Sequence, residues 1–223
     1  MGRRDMSDIR RAEYAAAAYR ALMRHGNQGT SLARVAEEAG ASKANVLHYF
    51  KSKEALLAAA LRHANAVLLR EVVLLLNEAQ SPWERIYAVV ETNLSPTSFR
   101  PEVAHAWISL CAGVPHVEAY QRIQTVIYAR MRSNLIGPLR ALLPEEDAVL
   151  MSDLLTTAID GIWLRCGLSL NGITIEDARA QIDAVLDARL PDSAERRAAR
   201  ARMIEVCRIM TNARRLQNPQ DPL

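Results

Sequence analysis

Residues 31–56 read SLARVAEEAGASKANVLHYFKSKEAL. Leu32, Val35, Ala36 and Ala39 recur at i, i+3, i+4 and i+7, one apolar stripe on a short helix. Ser31 stands just ahead of it, where a hydroxyl takes up a free backbone N–H as an N-cap. Gly40-Ala41-Ser42 follows. The glycine permits a sharp reversal, the small alanine lets two helices approach closely, and Ser42 caps a second short helix. The apolar side of that helix is read as Val46, Leu47 and Phe50. Two short helices joined by such a turn make a helix-turn-helix, the arrangement that lays its second helix into a DNA major groove.

The residue types on the outer side fit that use. Lys43, Ala44, Asn45, His48 and Tyr49 lie off the Val46/Phe50 side of the second helix. Asn45 can read a base edge, and Lys43 can reach a guanine or a phosphate. Ser31 and Ser42 sit at helix N-termini, which favour phosphate oxygens. Lys51 and Lys53, just beyond, suit backbone phosphates, which position a protein without reading sequence. On residue types alone, a helical hairpin with a solvated charged face remains the alternative.

Charge along the chain separates these readings further. The overall net charge is only +3, but residues 1–62 carry 11 Lys/Arg against 6 Asp/Glu. Residues 63–190 carry 10 against 15, and residues 191–223 carry 7 against 4. A basic front is suited to a polyanion, an acidic middle to something else. All three lysines, Lys43, Lys51 and Lys53, fall inside the quoted stretch.

The rest of the sequence excludes much. At 223 residues the chain suits one large or two unequal domains and can bury a core without disulfides or metal. Leu56–Leu76, its most apolar stretch, is interrupted by Arg62, His63, Asn65, Arg70 and Glu71, so no membrane span is expected. The charged start, Met1-Gly-Arg-Arg-Asp, is not followed by an apolar signal core, and a cytoplasmic location is expected. Cys111, Cys166 and Cys207 are odd in number and far apart, which argues for reduced thiols rather than a disulfide or zinc framework. His25, His48, His63, His105 and His116 show no metal-ligating spacing, and neither a phosphate loop nor a nucleophile elbow is present. No catalytic site, cofactor or metal is expected.

Everything else reads as helix, with no alternating β-branched run to suggest a strand. The first helix spans about 7–25, with Ile9, Ala12, Ala16, Tyr19 and Leu22/Met23 on one face and Gly26 as its stop. Others are expected at about 53–79, 81–94 (Ser81 cap, Pro82, Glu84), 102–112, 117–143 and 145–168. Asn171-Gly172 turns the chain, and Thr174 with Asp177 opens a helix to Leu190. After Pro191 a last helix, from Ser193 to about Leu216, carries Ala199, Met203, Val206, Met210 and Ala213 as an apolar stripe. Arg196, Arg197, Arg200, Arg208 and Arg214 are placed on its other sides. Packing on its own body or on a dimer partner is the plain reading of this helix. An added DNA contact or a membrane-surface role are the alternatives. The final residues from Gln217 are expected to fray.

The quoted stretch closely resembles the signature of TetR-family transcriptional regulators at Ser31, Val35-Ala36, Ala39-Gly40, Ser42-Lys43, Tyr49-Phe50, Lys53 and Leu56. Ala44 departs from the family's frequent glycine, and Leu47 from its frequent tyrosine. The resemblance implies an all-α protein: a helix-turn-helix DNA-binding domain (1–52), a ligand-binding and dimerisation domain (53–190), and here an added basic helix and tail (191–223). It also implies a homodimer on palindromic double-stranded DNA, released by a small-molecule inducer. Dimerisation would use about 145–168 and 174–190, with Leu150, Leu154, Ala158, Ile162, Ile182, Val185 and Leu186 as the seam.

Ala106–Ala112, Tyr120–Ile123, Arg132–Ile136 and above all Ala158–Leu168 (AIDGIWLRCGL) further resemble the C-terminal part of BetI-type, choline-responsive repressors. A quaternary ammonium is held by aromatic faces and a carboxylate. Trp107, Tyr120, Tyr128 and Trp163 are the aromatic candidates and Asp160 the acid. Asp160 can instead pair with Arg165, and each tryptophan can simply be core. Leu110-Cys111 stands where the subgroup tends to carry another aromatic pair, which leaves a different inducer open.

Overall fold

The computed structural model describes residues 3–169 and 172–217, and these are all-α. The helices are α1 (Arg3–Gly29), α2 (Leu32–Glu38), α3 (Lys43–Tyr49), α4 (Lys53–Glu78), α5 (Pro82–Asn93), α6 (Pro101–Cys111), α7 (Glu118–Arg140), α8 (Glu145–Gly167), α9 (Ile175–Asp187) and α10 (Ala194–Gln217). Two compact units group Met1–Val67 with Glu102–Val126 and Leu68–Pro101 with Ile127–Leu223. Asn171 of the expected 171–172 turn lies outside the described residues, as does the expected frayed tail from residue 218.

Helix boundaries follow local chemistry. Ser31, Ser42, Ser81 and Thr174 each accept a backbone N–H three residues on. Each such cap is worth about 1 kcal/mol. Thr174 and Asp177 complete a reciprocal capping box. Gly26 takes φ 63°, breaking the regular course of α1 near its end. Pro138 is carried inside α7, which stops at Arg140 rather than continuing toward Leu143.

In the first unit α1 packs on α2, and α2 on α3. The face of α1 expected from sequence is corrected at its start: Ile9 and Ala12 are exposed, Tyr19 and Leu22 are buried as expected, and Tyr14, Ala15, Ala18 and Ala21 are buried with them. The buried stripe follows the tyrosines and the alanine run rather than the first isoleucine. On α3, Val46 and Phe50 are buried one turn apart, but Leu47 is 41% exposed, so it does not belong to the apolar side.

In the second unit α5 is buried along its length, from Trp83 and Glu84 through Ile86–Asn93. Burying one such Ile or Val contributes about 1.5–3 kcal/mol. Its main partner is α10, whose expected pattern is also corrected. The buried row is Arg196, Ala199, Met203, Cys207 and Thr211. Val206 and Met210 are half-buried and Ala213 is exposed. Arg196 therefore lies in the core, because its fork finds carboxylates there. It donates to Tyr87 Oη (3.0 Å), Asp187 Oδ1 (2.6 Å) and the Leu190 carbonyl (2.9 Å), and covers the Trp83 ring at 5.4 Å. Beside it Glu91, 1% exposed, accepts a two-pronged pair from Arg179 (2.6–3.2 Å).

The expected dimer seam divides. Ile162, Ile182 and Leu186 belong to this chain's own core. Leu150, Leu154, Gly161 and Leu164 are exposed along one stripe of α8, and Leu168 at its C-cap is exposed too. Steps of three and four from Leu154 run through Thr157 to Gly161, one residue off the Ala158–Ile162 row, which turns inward.

Candidate functional site

The residues around α3 fall into those that build it and those it presents. Ser31 and Ser42 are consumed as caps, accepting from Arg34 N (3.2 Å) and Asn45 N (3.1 Å). Lys43, Ala44, Asn45, Leu47, His48 and Lys51 are exposed. Tyr49 is half-buried, with an edge-on contact to Tyr14 at 5.4 Å and the His48 ring beside it at 5.2 Å. Lys53 has already spent one N–H: its Nζ donates to the Asn27 carbonyl at 2.6 Å, just beyond the break at Gly26. Two further N–H donors remain on that ammonium.

Sequence reading missed Arg11. Its Nη1 donates to the Tyr49 carbonyl (2.7 Å) and its guanidinium lies over the Phe50 ring at 4.6 Å. It thus satisfies a C-terminal carbonyl of α3 with a cation, the sign favoured at that end. The separation of 38 positions left no local signal. Leu47 was missed as a presented residue because apolarity alone put it on the buried side.

The ligand candidates divide between the units. Trp107 and Tyr120 belong to the first, on α6 and α7; Tyr128, Asp160 and Trp163 belong to the second. Tyr120 is buried, and burial pushes its phenol up to about 12. Tyr128 donates to Asp160 Oδ2 at 2.7 Å, so the acid's observed partner is that hydroxyl. Burial holds the Asp160 carboxyl above the usual aspartate range, with the Tyr128 bond acting the other way. Trp163, one helical turn on, donates its indole N–H to the Asn93 carbonyl (3.1 Å) and meets Phe99 edge-on at 6.3 Å. Phe99 was not singled out in sequence; it sits in the turn after α5.

Among the described residues no group of three His, Cys, Asp or Glu could hold a metal, and no helix is long and apolar enough to cross a membrane. Cys166 and Cys207 are buried free thiols and Cys111 is half-buried. Burial, then the Glu91 carboxylate, pushes the Cys207 thiol up to about 11.

Comparison with known proteins gives this arrangement a family. Residues 15–60 match the profile of bacterial regulatory proteins of the tetR family, and residues 82–191 that of the BetI-type transcriptional repressor C-terminal part. The HTH-type transcriptional regulator BetI of Rhizobium meliloti (strain 1021) is 32% identical over 185 residues, 83% of this chain and 91% of the relative. The chain belongs to the TetR family. A second relative of the same description, from Vibrio vulnificus (strain YJ016), is 32% identical over 83% of this chain and 94% of its own length.

The solved structure of a TetR transcription regulator from Haloarcula marismortui aligns with TM-score 0.70 at 27% identity, covering 81% of this chain and 98% of that one. A transcriptional-regulator structure from Saccharomonospora viridis in complex with choline aligns with TM-score 0.74, covering 82% and 97%. At 19% identity it shows a shared fold. This TetR-family chain is therefore a BetI-type transcriptional regulator and not an enzyme. The BetI-type match ends at residue 191, before α10 begins.

Proposed function

We propose that this regulator is a repressor that binds a palindromic operator as a homodimer in the cytoplasm, reads it through α3, and is released by a small-molecule inducer. The observation that carries this reading is the α3 surface. Val46 and Phe50 anchor the helix, Ser42 and Arg11 satisfy its two ends, and Lys43, Ala44, Asn45, Leu47 and His48 are left on the outside. In this reading Asn45 contacts a base edge, Leu47 a thymine methyl, Lys43 a guanine or phosphate, and Lys51 and Lys53 the backbone. The exposed α8 stripe of Leu150, Leu154 and Leu164, with open space over Gly161, supports a helix-to-helix dimer seam.

For the inducer we favour choline or a related quaternary amine. Support comes from the half-buried Asp160 with Tyr128 against it and from the family type of residues 82–191. A different small metabolite is the second reading, favoured by Trp163 being engaged by Phe99 and Asn93 and by Leu110 and Cys111 in place of further aromatic faces.

Gel shifts on the promoter regions of its own and neighbouring genes, at several salt concentrations, test the first part. Affinity should fall linearly in log–log form, with a slope near −0.9 per phosphate neutralised. Absent or salt-independent binding refutes operator recognition and leaves a helical small-molecule-binding protein. Choline added to the bound complex should release the DNA. Release by another metabolite but not by choline supports the second reading.

A further inference from the structure

The C-terminal helix lies outside the BetI-type match, yet hydrogen bonds connect it to the turn whose Phe99 meets Trp163. Two contacts reach α5 and a third reaches α4. Arg202 donates to Glu84 (2.8 Å) at the start of α5, and the Cys207 thiol to the Glu91 carbonyl (3.5 Å) in its last turn. Past its end, Arg214 pairs with Glu71 of α4. The other Glu71 oxygen accepts from Ser98 Oγ at 3.3 Å.

Ser98 is part of a tight turn. Its N–H and that of Phe99 both donate to the Ser95 carbonyl (3.0 and 2.8 Å), and Ser95 Oγ and Thr97 Oγ1 share a hydrogen bond at 3.1 Å. That turn presents Phe99 edge-on to Trp163. Burial raises the Glu71 carboxyl, and Arg214 opposes the rise and so favours the charged form that accepts from Ser98.

We propose that Arg214 is a positioning residue for the Trp163 wall, acting through Glu71, Ser98 and Phe99, so that the added helix α10 tunes the ligand response. The geometric part stands on the contacts above. Its consequence for ligand affinity rests on the reading that Asp160 and Trp163 face the inducer. Removing Arg214 leaves Glu71 half-buried with one hydroxyl as its remaining partner in this chain of contacts, and the turn loses its fixed anchor. A side chain held by a supporting layer loses its set position when that layer is cut.

The test uses the full chain labelled with 5-fluorotryptophan, whose three resonances (Trp83, Trp107 and Trp163) are assigned by single Trp→Phe variants. In Arg214→Ala the Trp163 resonance should shift or broaden while that of Trp107 stays. Arg214→Lys should restore part of the change. Glu71→Gln should reproduce it, and the double variant should be no worse than either single one.

Choline affinity, read from the same resonance, should weaken about 2- to 30-fold in Arg214→Ala, the range for a residue coupled to a site it does not touch. Operator affinity without ligand should not change. A Trp163 resonance identical in wild type and Arg214→Ala overturns the proposal, whatever choline does. A moved Trp163 with no choline binding in wild type supports the positioning role and refutes the choline reading instead.

Discussion

Two basic regions of this chain use their charge in opposite ways. Around α3, Lys43 and Lys51 are exposed and have no ion pair among the described residues. On α10 the arginines point at carboxylates: Arg196 at Asp183 and Asp187, Arg200 at Asp183, Arg202 at Glu84, Arg208 at Glu205, Arg214 at Glu71. A basic stretch in sequence thus says nothing by itself about an anionic partner. What decides is whether the fold supplies the counter-charge. Within the acidic middle of the chain Glu71, Glu84, Asp183 and Asp187 are that supply for α10.

The largest expected effect tests the internal half of this contrast. Arg196 is 3% exposed and holds Tyr87, Asp183, Asp187 and the Leu190 carbonyl together. Arg196→Ala removes one partner of a buried network and should cost about 3–5 kcal/mol in stability. Urea unfolding with unchanged m-value is the measurement. Operator affinity per folded molecule should be the same. A variant that stays within about 1 kcal/mol of wild type, or one whose DNA salt slope drops by about one unit, would place Arg196 with the outward-facing charges instead.

The outward half is tested next, with two substitutions on and beside the recognition helix. Asn45→Ala should cost about 1–3 kcal/mol on the preferred operator and much less on unrelated DNA, so sequence preference relaxes. Lys51→Ala should weaken both DNAs alike and lower the salt slope by about one. Arg208→Ala on α10 is the matched control; its loss should leave both quantities unchanged. Competition binding at two salt concentrations separates the three. A uniform loss from Asn45→Ala would mean that it contacts backbone and that another residue, Leu47 first, carries the reading.

The same contrast separates what is legible in the sequence from what is not. Caps, glycine turns and prolines act over three or four residues, so the helix order and the α2–α3 turn were legible at Ser31, Gly40, Ser42, Ser81 and Thr174. Contacts between distant residues were not. Arg11 reaches Tyr49, Trp163 reaches Asn93 and Phe99, and Arg214 reaches Glu71, each across tens of positions with no local pattern to announce them. Burial of a charged side chain defeats hydropathy altogether: Arg196 was placed on the outside because it is arginine. Leu47 was placed inside because it is leucine. In the candidate ligand site only Asp160 and Trp163 share a helix face, so their link to Tyr128 and Phe99 awaited the packing of α7 and the turn after α5.

Asp160 stands between the two regimes, and it yields the smallest effect. It is half-buried and shares a hydrogen bond with a neutral tyrosine rather than an arginine, so its charge is neither consumed nor fully solvated. Burial raises its pKa above the ordinary aspartate value, and the Tyr128 hydroxyl only partly opposes this. The sign for stability follows from that direction. Below the ordinary value the carboxyl is protonated in folded and unfolded chains alike and contributes no penalty. As pH rises through the raised value the folded chain takes on a poorly solvated charge, and stability falls slightly relative to Asp160→Asn, which keeps an acceptor for Tyr128. A bound quaternary amine offsets that charge, so choline affinity should rise over the same interval just above the ordinary aspartate range and level off toward neutral pH. Calorimetric titration of wild type and Asp160→Asn between pH 4 and 7 measures both signs. A wild-type affinity flat across that interval, with no gap opening between the two proteins, would assign Asp160 to the paired interior and remove it from the inducer site.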